Sequence, residues 1–350
     1  MKKTLNLCHT IFLLLLATVL ISCNQKKQLG IATYSVRGIE SDIEGSFRSL
    51  AEDGYVVMEI SNYNPSEGKV AGYSPADYAA LAEKSGLDII SSHINASLNV
   101  EDPDGTLAEW GKIFDDHKDM GCKYVVLPMN FWSNNAEGLL AECELMNRIG
   151  EEANKRGLKF GYHNHSMEFV NVPGTDLKYE DFLIENTDPD KVFFELDVFW
   201  TVFGKQDPVE YLKKYPDRIR VLHIKDDYVI GESGNIDFAA IFDQFYRNGH
   251  KDWFVEMEEK MTPESRAMTE GMMQMFTDIM LKGGPNPFAP QPPAGRPGDS
   301  LEQEGSEQQA PPPIPGFEPQ TPEVIAMKLK ESLEGISQSA EFLRNADFVK

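Results

Sequence analysis

Short runs rich in β-branched and aromatic residues recur along the chain, separated by longer stretches in which apolar residues return every three or four positions. Eight such runs stand out, at 29–34, 55–60, 88–93, 124–128, 158–163, 192–197, 219–225 and 253–258. Strand-like runs alternating with helical ones are the signature of repeated βα units around a parallel sheet. Eight units imply an α/β fold, a single closed (β/α)₈ barrel. Helix starts are marked where a capping side chain precedes a proline suited to the first helical position, as at Ser74-Pro75 and Asp207-Pro208. Strand residues at i and i+2 share a face. Glu195 with Asp197, His223 with Lys225, and Glu256 with Glu258 therefore each point as a pair to one side.

The pattern breaks after the eighth strand. A Met-rich helical stretch at 263–281 is followed by residues 283–320, crowded with Pro, Gly, Glu and Gln. That composition cannot bury much surface and is expected to be disordered. Helical period resumes after Thr321-Pro322, with Ile325, Leu329, Leu333, Ile336, Ala340 and Leu343 three or four apart, and this last helix is expected to close the barrel. Residues 28–259 and 321–350 then form the catalytic domain, and 260–320 is an insertion after strand eight, on the face where barrels keep their active sites. Two readings of the insertion stay open, a lid or a solvated appendage.

A second break lies near the start, where residues 11–21 are almost continuously apolar and follow Lys2 and Lys3. The run is shorter than the roughly 20 residues a membrane span needs, and its basic flank fits an export signal. Leu20-Ile21-Ser22-Cys23 resembles the lipobox of bacterial lipoproteins. That resemblance implies removal of residues 1–22, a lipid on Cys23, a short anchor linker at 23–27, and an exported protein anchored to a bacterial membrane, on its periplasmic side. Cys8 is then discarded, and Cys122 and Cys143 read as buried small hydrophobes rather than a bridge.

Charge narrows the partners. The chain carries 33 Lys and Arg against 56 Asp and Glu, a net charge of −23, which repels nucleic acid and anionic lipid surfaces. Hydrophobic residues make up 41% of the 350, enough for one large core and too many for a wholly disordered chain. Four of the seven histidines, His93, His163, His165 and His223, fall at strand ends, which converge in a barrel. So many ionisable groups in one barrel mouth are costly unless they pair or bind a cation, and imidazoles with carboxylates suit a divalent metal.

The segments YHNHSMEF at 162–169, FELDVFW at 194–200, LHIKD at 222–226 and FVEMEE at 254–259 resemble the xylose-isomerase-like TIM-barrel superfamily, nearest its sugar phosphate isomerase/epimerase branch. The resemblance implies one divalent ion (Mn²⁺, Mg²⁺, Co²⁺ or Zn²⁺) held by Asp197, His223 and Glu256. The fourth ligand is left between His163, standing where many relatives carry a glutamate, and Glu168, five residues later, with Glu168 preferred. The implied chemistry is removal of a proton alpha to a carbonyl, giving an enediolate whose fate is epimerisation, isomerisation or elimination. His163, His165 and Glu258 are the candidate bases, and Lys225 is a candidate partner for substrate oxygen. Glu59 and His93 are expected to contact substrate hydroxyls, and Trp132 and Trp200 to stack on a sugar ring. The expected substrate is an unphosphorylated keto-sugar or 3-keto-glycoside, with an exported sugar oxidoreductase supplying the ketone. An inosose-dehydratase-like lyase and a non-catalytic lipid-anchored carbohydrate-binding barrel are the rivals. A homodimer is compatible with the family, although no interface signal stands out.

Overall fold

The structure, a computed structural model, describes residues 27–284 and 321–350. The expected signal peptide, the Cys23 lipidation site and the Pro-rich part of the insertion lie outside these residues. Eight parallel strands form the barrel: β1 (Leu29–Ala32), β2 (Tyr55–Ile60), β3 (Asp88–Ser92), β4 (Tyr124–Leu127), β5 (Lys159–His163), β6 (Val192–Asp197), β7 (Ile219–Ile224) and β8 (Asp252–Val255). They neighbour one another in the order β3-β2-β1-β8-β7-β6-β5-β4. Between β3 and β4 the ring is completed by a parallel bridge from His93 to Val126 and by Lys123 N donating to the Ile90 carbonyl. All eight strand-like runs of the sequence are strands, each ending within a few residues of its expected place.

Alternation divides the barrel interior into two layers. Ala32, Val57, Tyr124, Val126, Phe193, Val221 and Phe254 form an apolar cluster. Two residues further along four of those strands come Glu59, Glu195, His223 and Glu256, all buried. A side-chain period of two thus carries the chain from plug to chemistry within one strand.

The outer helices are α1 (Ile43–Glu52), α2 (Pro75–Lys84), α3 (Pro103–Asp119), α4 (Ala136–Lys155), α5 (Tyr179–Asn186), α6 (Val198–Phe203), α7 (Pro208–Lys214) and α8 (Phe238–Arg247). Ser74 and Asp207 cap α2 and α7 as expected, accepting from Asp77 N (3.2 Å) and Val209 N (2.8 Å). Burial pushes the Glu142 carboxyl on α4 up to about 7, against the bond it accepts from Ser133 N (3.1 Å). The folded chain therefore holds this proton more tightly than the unfolded one. The stability it confers is full at acid pH and lost as pH rises through about 7. Glu142→Gln is expected to stabilise the protein by about 2 kcal/mol near pH 8 and by little near pH 5. Thermal melts at both pH values check this, and equal shifts at the two would contradict it.

Helix α9 (Pro263–Lys282) is the Met-rich stretch, and α10 (Pro322–Asn345) is the final helix. Ile336, Ala340 and Leu343 of α10 are buried, while Ile325, Leu329 and Leu333 are half-buried. The Ile336 carbonyl accepts from Tyr55 OH (3.2 Å) and Ser339 Oγ from Ile230 N (3.1 Å), so α10 takes the eighth helix position beside α1. Helix α9 lies instead on the loops at the carboxyl ends of the strands. It packs on the turn Met167–Phe169 after β5, sets Phe276 edge-on to Phe131 at 5.3 Å, and pairs Arg266 with Asp227 (2.6 Å). Cys122 and Cys143 are buried and unbridged. No helix among the described residues is long and apolar enough to cross a membrane.

Candidate metal centre and active site

Strand register brings the expected ligands together. Asp197 lies abreast of His223 between β6 and β7, and His163 abreast of Glu195 between β5 and β6. Donor atoms of His163, Asp197, His223 and Glu256 all lie within 4.8 Å of one another, and all four residues are buried. Glu168 is outside this group because both its oxygens are taken, Oε1 by Tyr162 OH (2.5 Å) and Oε2 by His165 N (2.9 Å). Burial pushes Glu168 up to about 7, against the hydrogen bonds it accepts from Tyr162 and the His165 amide. Of the two options for the fourth ligand, the structure places His163 in this group and sets the carboxylate of Glu168 against Tyr162 and the His165 amide.

The group cannot satisfy itself with hydrogen bonds. Nδ1 of His223 faces Glu256 Oε2 at 2.9 Å and Nε2 faces Glu59 Oε1 at 2.7 Å, so both ring nitrogens meet carboxylates. A neutral imidazole has one proton to give, and here a second proton or a cation is required. Burial works against the charged ring, but Glu195 and Glu59 hold it protonated well above its ordinary range. Asp197 Oδ2 is buried without any partner. Burial pushes that carboxyl up to about 7, against the pull of Lys225. Two imidazoles, two carboxylates and an orphaned lone pair fit a divalent ion.

Lys225 closes one side of the group, donating to Glu256 Oε1 (2.8 Å) and Glu258 Oε1 (2.7 Å), with its Nζ 4.7 Å from the Trp200 ring centroid. Burial alone would favour neutral lysine, but Glu256, Glu258 and Asp197 keep it charged. Glu256 is in turn held well below the usual carboxylate range, since Lys225 and His223 outweigh its burial. His165 stands next to His163 and Trp200, its ring 5.2 and 5.4 Å from theirs. Its Nδ1 has no partner, and burial and Lys225 push it down to about 3, so the ring is neutral at ordinary pH.

Three other candidate residues have partners within the protein. Trp132 is only 2% exposed and gives its indole N–H to Tyr162 OH (3.1 Å). Both carboxylate oxygens of Glu59 are engaged, by His223 and by Ser91, and His93 Nε2 faces Glu195 (2.6 Å). Trp200 does stand at the site, buried, with an unpartnered Nε1. Two participants escaped the sequence reading of the site, Tyr162 and Asn164, whose Oδ1 accepts from Asp197 N (3.1 Å). Glu195 was visible only as an inward partner of Asp197, and that i, i+2 spacing was the available signal.

Residues 47–278 match the family model described as xylose isomerase-like TIM barrel. The chain belongs to the xylose isomerase-like TIM barrel family. This barrel is similar to inosose dehydratase from Geobacillus thermodenitrificans, 26% identical over 270 residues that span 64% of this chain and 84% of that protein. A solved sugar phosphate isomerase/epimerase from Parabacteroides distasonis is 30% identical with a TM-score of 0.69, over 93% of this chain and 100% of that one. An L-ribulose 3-epimerase, 18% identical with a TM-score of 0.53 over 73% of this chain and 95% of its own, shares the fold. Relatives of this xylose isomerase-like barrel are thus enzymes that act on sugars, both epimerases and a dehydratase.

Proposed function

We propose that the barrel is a metal-dependent sugar isomerase/epimerase-like enzyme that removes a proton beside the carbonyl of an unphosphorylated keto-sugar or 3-keto-glycoside. The observation that carries this reading is the convergence of His163, Asp197, His223 and Glu256 with Asp197 Oδ2 left unpartnered. Those four residues would hold a divalent ion, which when bound would supply Lewis-acid polarisation of the substrate.

The chain's own residues supply the proton chemistry. His163 is committed through Nδ1 to Glu195 (3.0 Å), which leaves His165 and Glu258 as proton carriers. His165 offers a neutral ring with a free Nδ1, and Glu258 a carboxylate whose side chain is 29% exposed at the mouth. They follow β5 and β8, so they approach from different sides, and a proton taken by one and returned by the other inverts the carbon between them. Lys225 stays charged between Glu256 and Glu258 and is placed to donate to a developing oxyanion. Helix α9, resting on the loops after β4, β5 and β7, acts as a lid that excludes water. The lipobox-like Leu20-Ile21-Ser22-Cys23 supports an exported, lipid-anchored enzyme on the periplasmic side, where an exported oxidoreductase makes the ketone.

Similarity to inosose dehydratase favours a second reading, elimination of water from a cyclic keto-polyol through the same enolate chemistry. The test is deuterium incorporation at the carbon alpha to the carbonyl when metal-loaded protein meets ketoses, a 3-keto-glucoside and inosose in D₂O. Exchange is expected with at least one of them. Product mass then separates the readings, since elimination loses water or the aglycone and epimerisation loses nothing. No exchange with any of them would sink both.

A further inference from the structure

Beside the four candidate ligands lies a buried tier that the proton chemistry does not use. Glu195 Oε2 is 2.6 Å from His93 Nε2, 3.0 Å from His163 Nδ1 and 3.3 Å from His223 Nε2. Glu59 Oε1 is 2.7 Å from His223 Nε2 and 3.1 Å from His93 Nε2, while its Oε2 accepts from Ser91 Oγ (2.7 Å). The His93 ring stacks on His223, with centroids 4.9 Å apart and planes at 12°, and meets His163 edge-on at 4.8 Å. One imidazole thus braces two carboxylates, of which Glu59 holds His223 and Glu195 reaches both His163 and His223.

We propose that Glu59 and Glu195, linked by His93, form a positioning tier that fixes which nitrogens of His163 and His223 face the cation, giving a two-nitrogen, two-carboxylate site selective for Zn²⁺ or Co²⁺ over Mg²⁺ and Mn²⁺. The proposal rests on the metal-dependent reading above. Its logic is geometric. With Nδ1 of His163 committed to Glu195, Nε2 is left for the ion. With Nε2 of His223 committed to Glu59, Nδ1 is left, and it already faces Glu256. Carboxylates behind ligand histidines set the tautomer, orient the ring and raise its basicity. Imidazole nitrogen is a poor donor for Mg²⁺ and Mn²⁺ and a good one for the later transition metals. His163 therefore moves the whole site along that scale.

A rival position exists within the same tier, because donor atoms of His93, His163, Glu195 and His223 also lie within 4.8 Å of one another and Glu195 Oε1 has no partner. The two positions differ in the part of Glu195, which is a ligand in this one and a positioning group in the other.

The test is equilibrium dialysis of the mature protein against equimolar Zn²⁺, Co²⁺, Mn²⁺ and Mg²⁺, together with visible spectra of the Co²⁺ form, for wild type, Glu195→Gln and Glu59→Gln. Wild type is expected to prefer Zn²⁺ or Co²⁺ over Mg²⁺ and Mn²⁺ by at least about 100-fold. Each variant is expected to retain one ion at saturation and the wild-type Co²⁺ spectrum, with affinity weakened about 10- to 100-fold. Mg²⁺ or Mn²⁺ bound as tightly as Zn²⁺ in wild type overturns the selectivity, and this arm needs no variant to fold. Unchanged affinity in the variants overturns the positioning role, and an altered Co²⁺ spectrum in Glu195→Gln makes Glu195 itself a ligand. Wild type that binds no divalent ion at all defeats the metal-dependent reading itself, and this inference with it.

Discussion

Asp197→Asn is expected to lose the bound divalent ion and to slow alpha-proton exchange by more than about 100-fold while leaving the barrel folded. The two carboxylate oxygens of Asp197 have separate duties. Oδ1 accepts from Trp200 N (2.8 Å) and caps α6, a bond that an asparagine carbonyl reproduces. Oδ2 is buried and meets no donor, so an amide there breaks no hydrogen bond of the fold. Burial pushes this carboxyl up to about 7. In the metal-free protein the ionised form is therefore disfavoured, and the stability conferred by its proton is lost as pH rises through about 7. The metal-free variant should accordingly melt higher than metal-free wild type above that pH. Elemental analysis after reloading, exchange in D₂O and paired melts read all three effects, with His223→Gln as a second ligand variant. Full metal content and wild-type exchange in Asp197→Asn would remove the aspartate from the centre.

The second large effect is on folding. Gly30→Ala is expected to destabilise the protein by about 3 kcal/mol or more. A Cβ at position 30 would lie 2.1 Å from the Trp253 carbonyl oxygen and 3.0 Å from a ring carbon of Phe254. The first obstacle is backbone and cannot rotate away. Residue 30 sits at the seam where β1 meets β8, whose register is fixed by the pair Ile31 and Val255. Opening that seam shifts the strand that leads directly into Glu256 and Glu258, so activity should fall with stability. At Gly161 the obstacle is the ring of Phe193, 2.5 Å from the ideal Cβ, and alanine there must push a plug side chain rather than a strand. Urea unfolding of the Gly30 and Gly161 alanine variants compares the two directly. A Gly30→Ala midpoint close to wild type would show slack in the seam that the contacts deny.

Much of this was legible along the chain because the signals are local. A period of two marks a strand and fixes which residues share its inner face, so Asp197, His223 and Glu256 were readable as inward groups before any strand was paired. A capping side chain acts on an amide two or three residues away, so Ser74 and Asp207 announced α2 and α7. The last helix was readable from its spacing alone, and it occupies the position its pattern required.

What the chain by itself determined, then, is the eight-stranded barrel and the shared face of the strand-end pairs, because each depends on neighbours a few residues apart; Asp197, His223 and Glu256 were singled out as candidate ligands by the resemblance of their motifs. Tertiary structure alone decided the rest. Where the Glu168 carboxylate lies depends on Tyr162 and the His165 amide, which take its two oxygens. Whether Trp132 stacks on sugar or fills the core depends on where its indole N–H finds an acceptor. Whether Glu59 and His93 meet substrate or brace ligands depends on strands β2, β3, β6 and β7 bringing carboxylates and imidazoles within hydrogen-bond reach across the barrel. The last of these turns on distances of about 3 Å between residues 102 and 164 apart in the chain, and hydrophobic period carries no information about such distances.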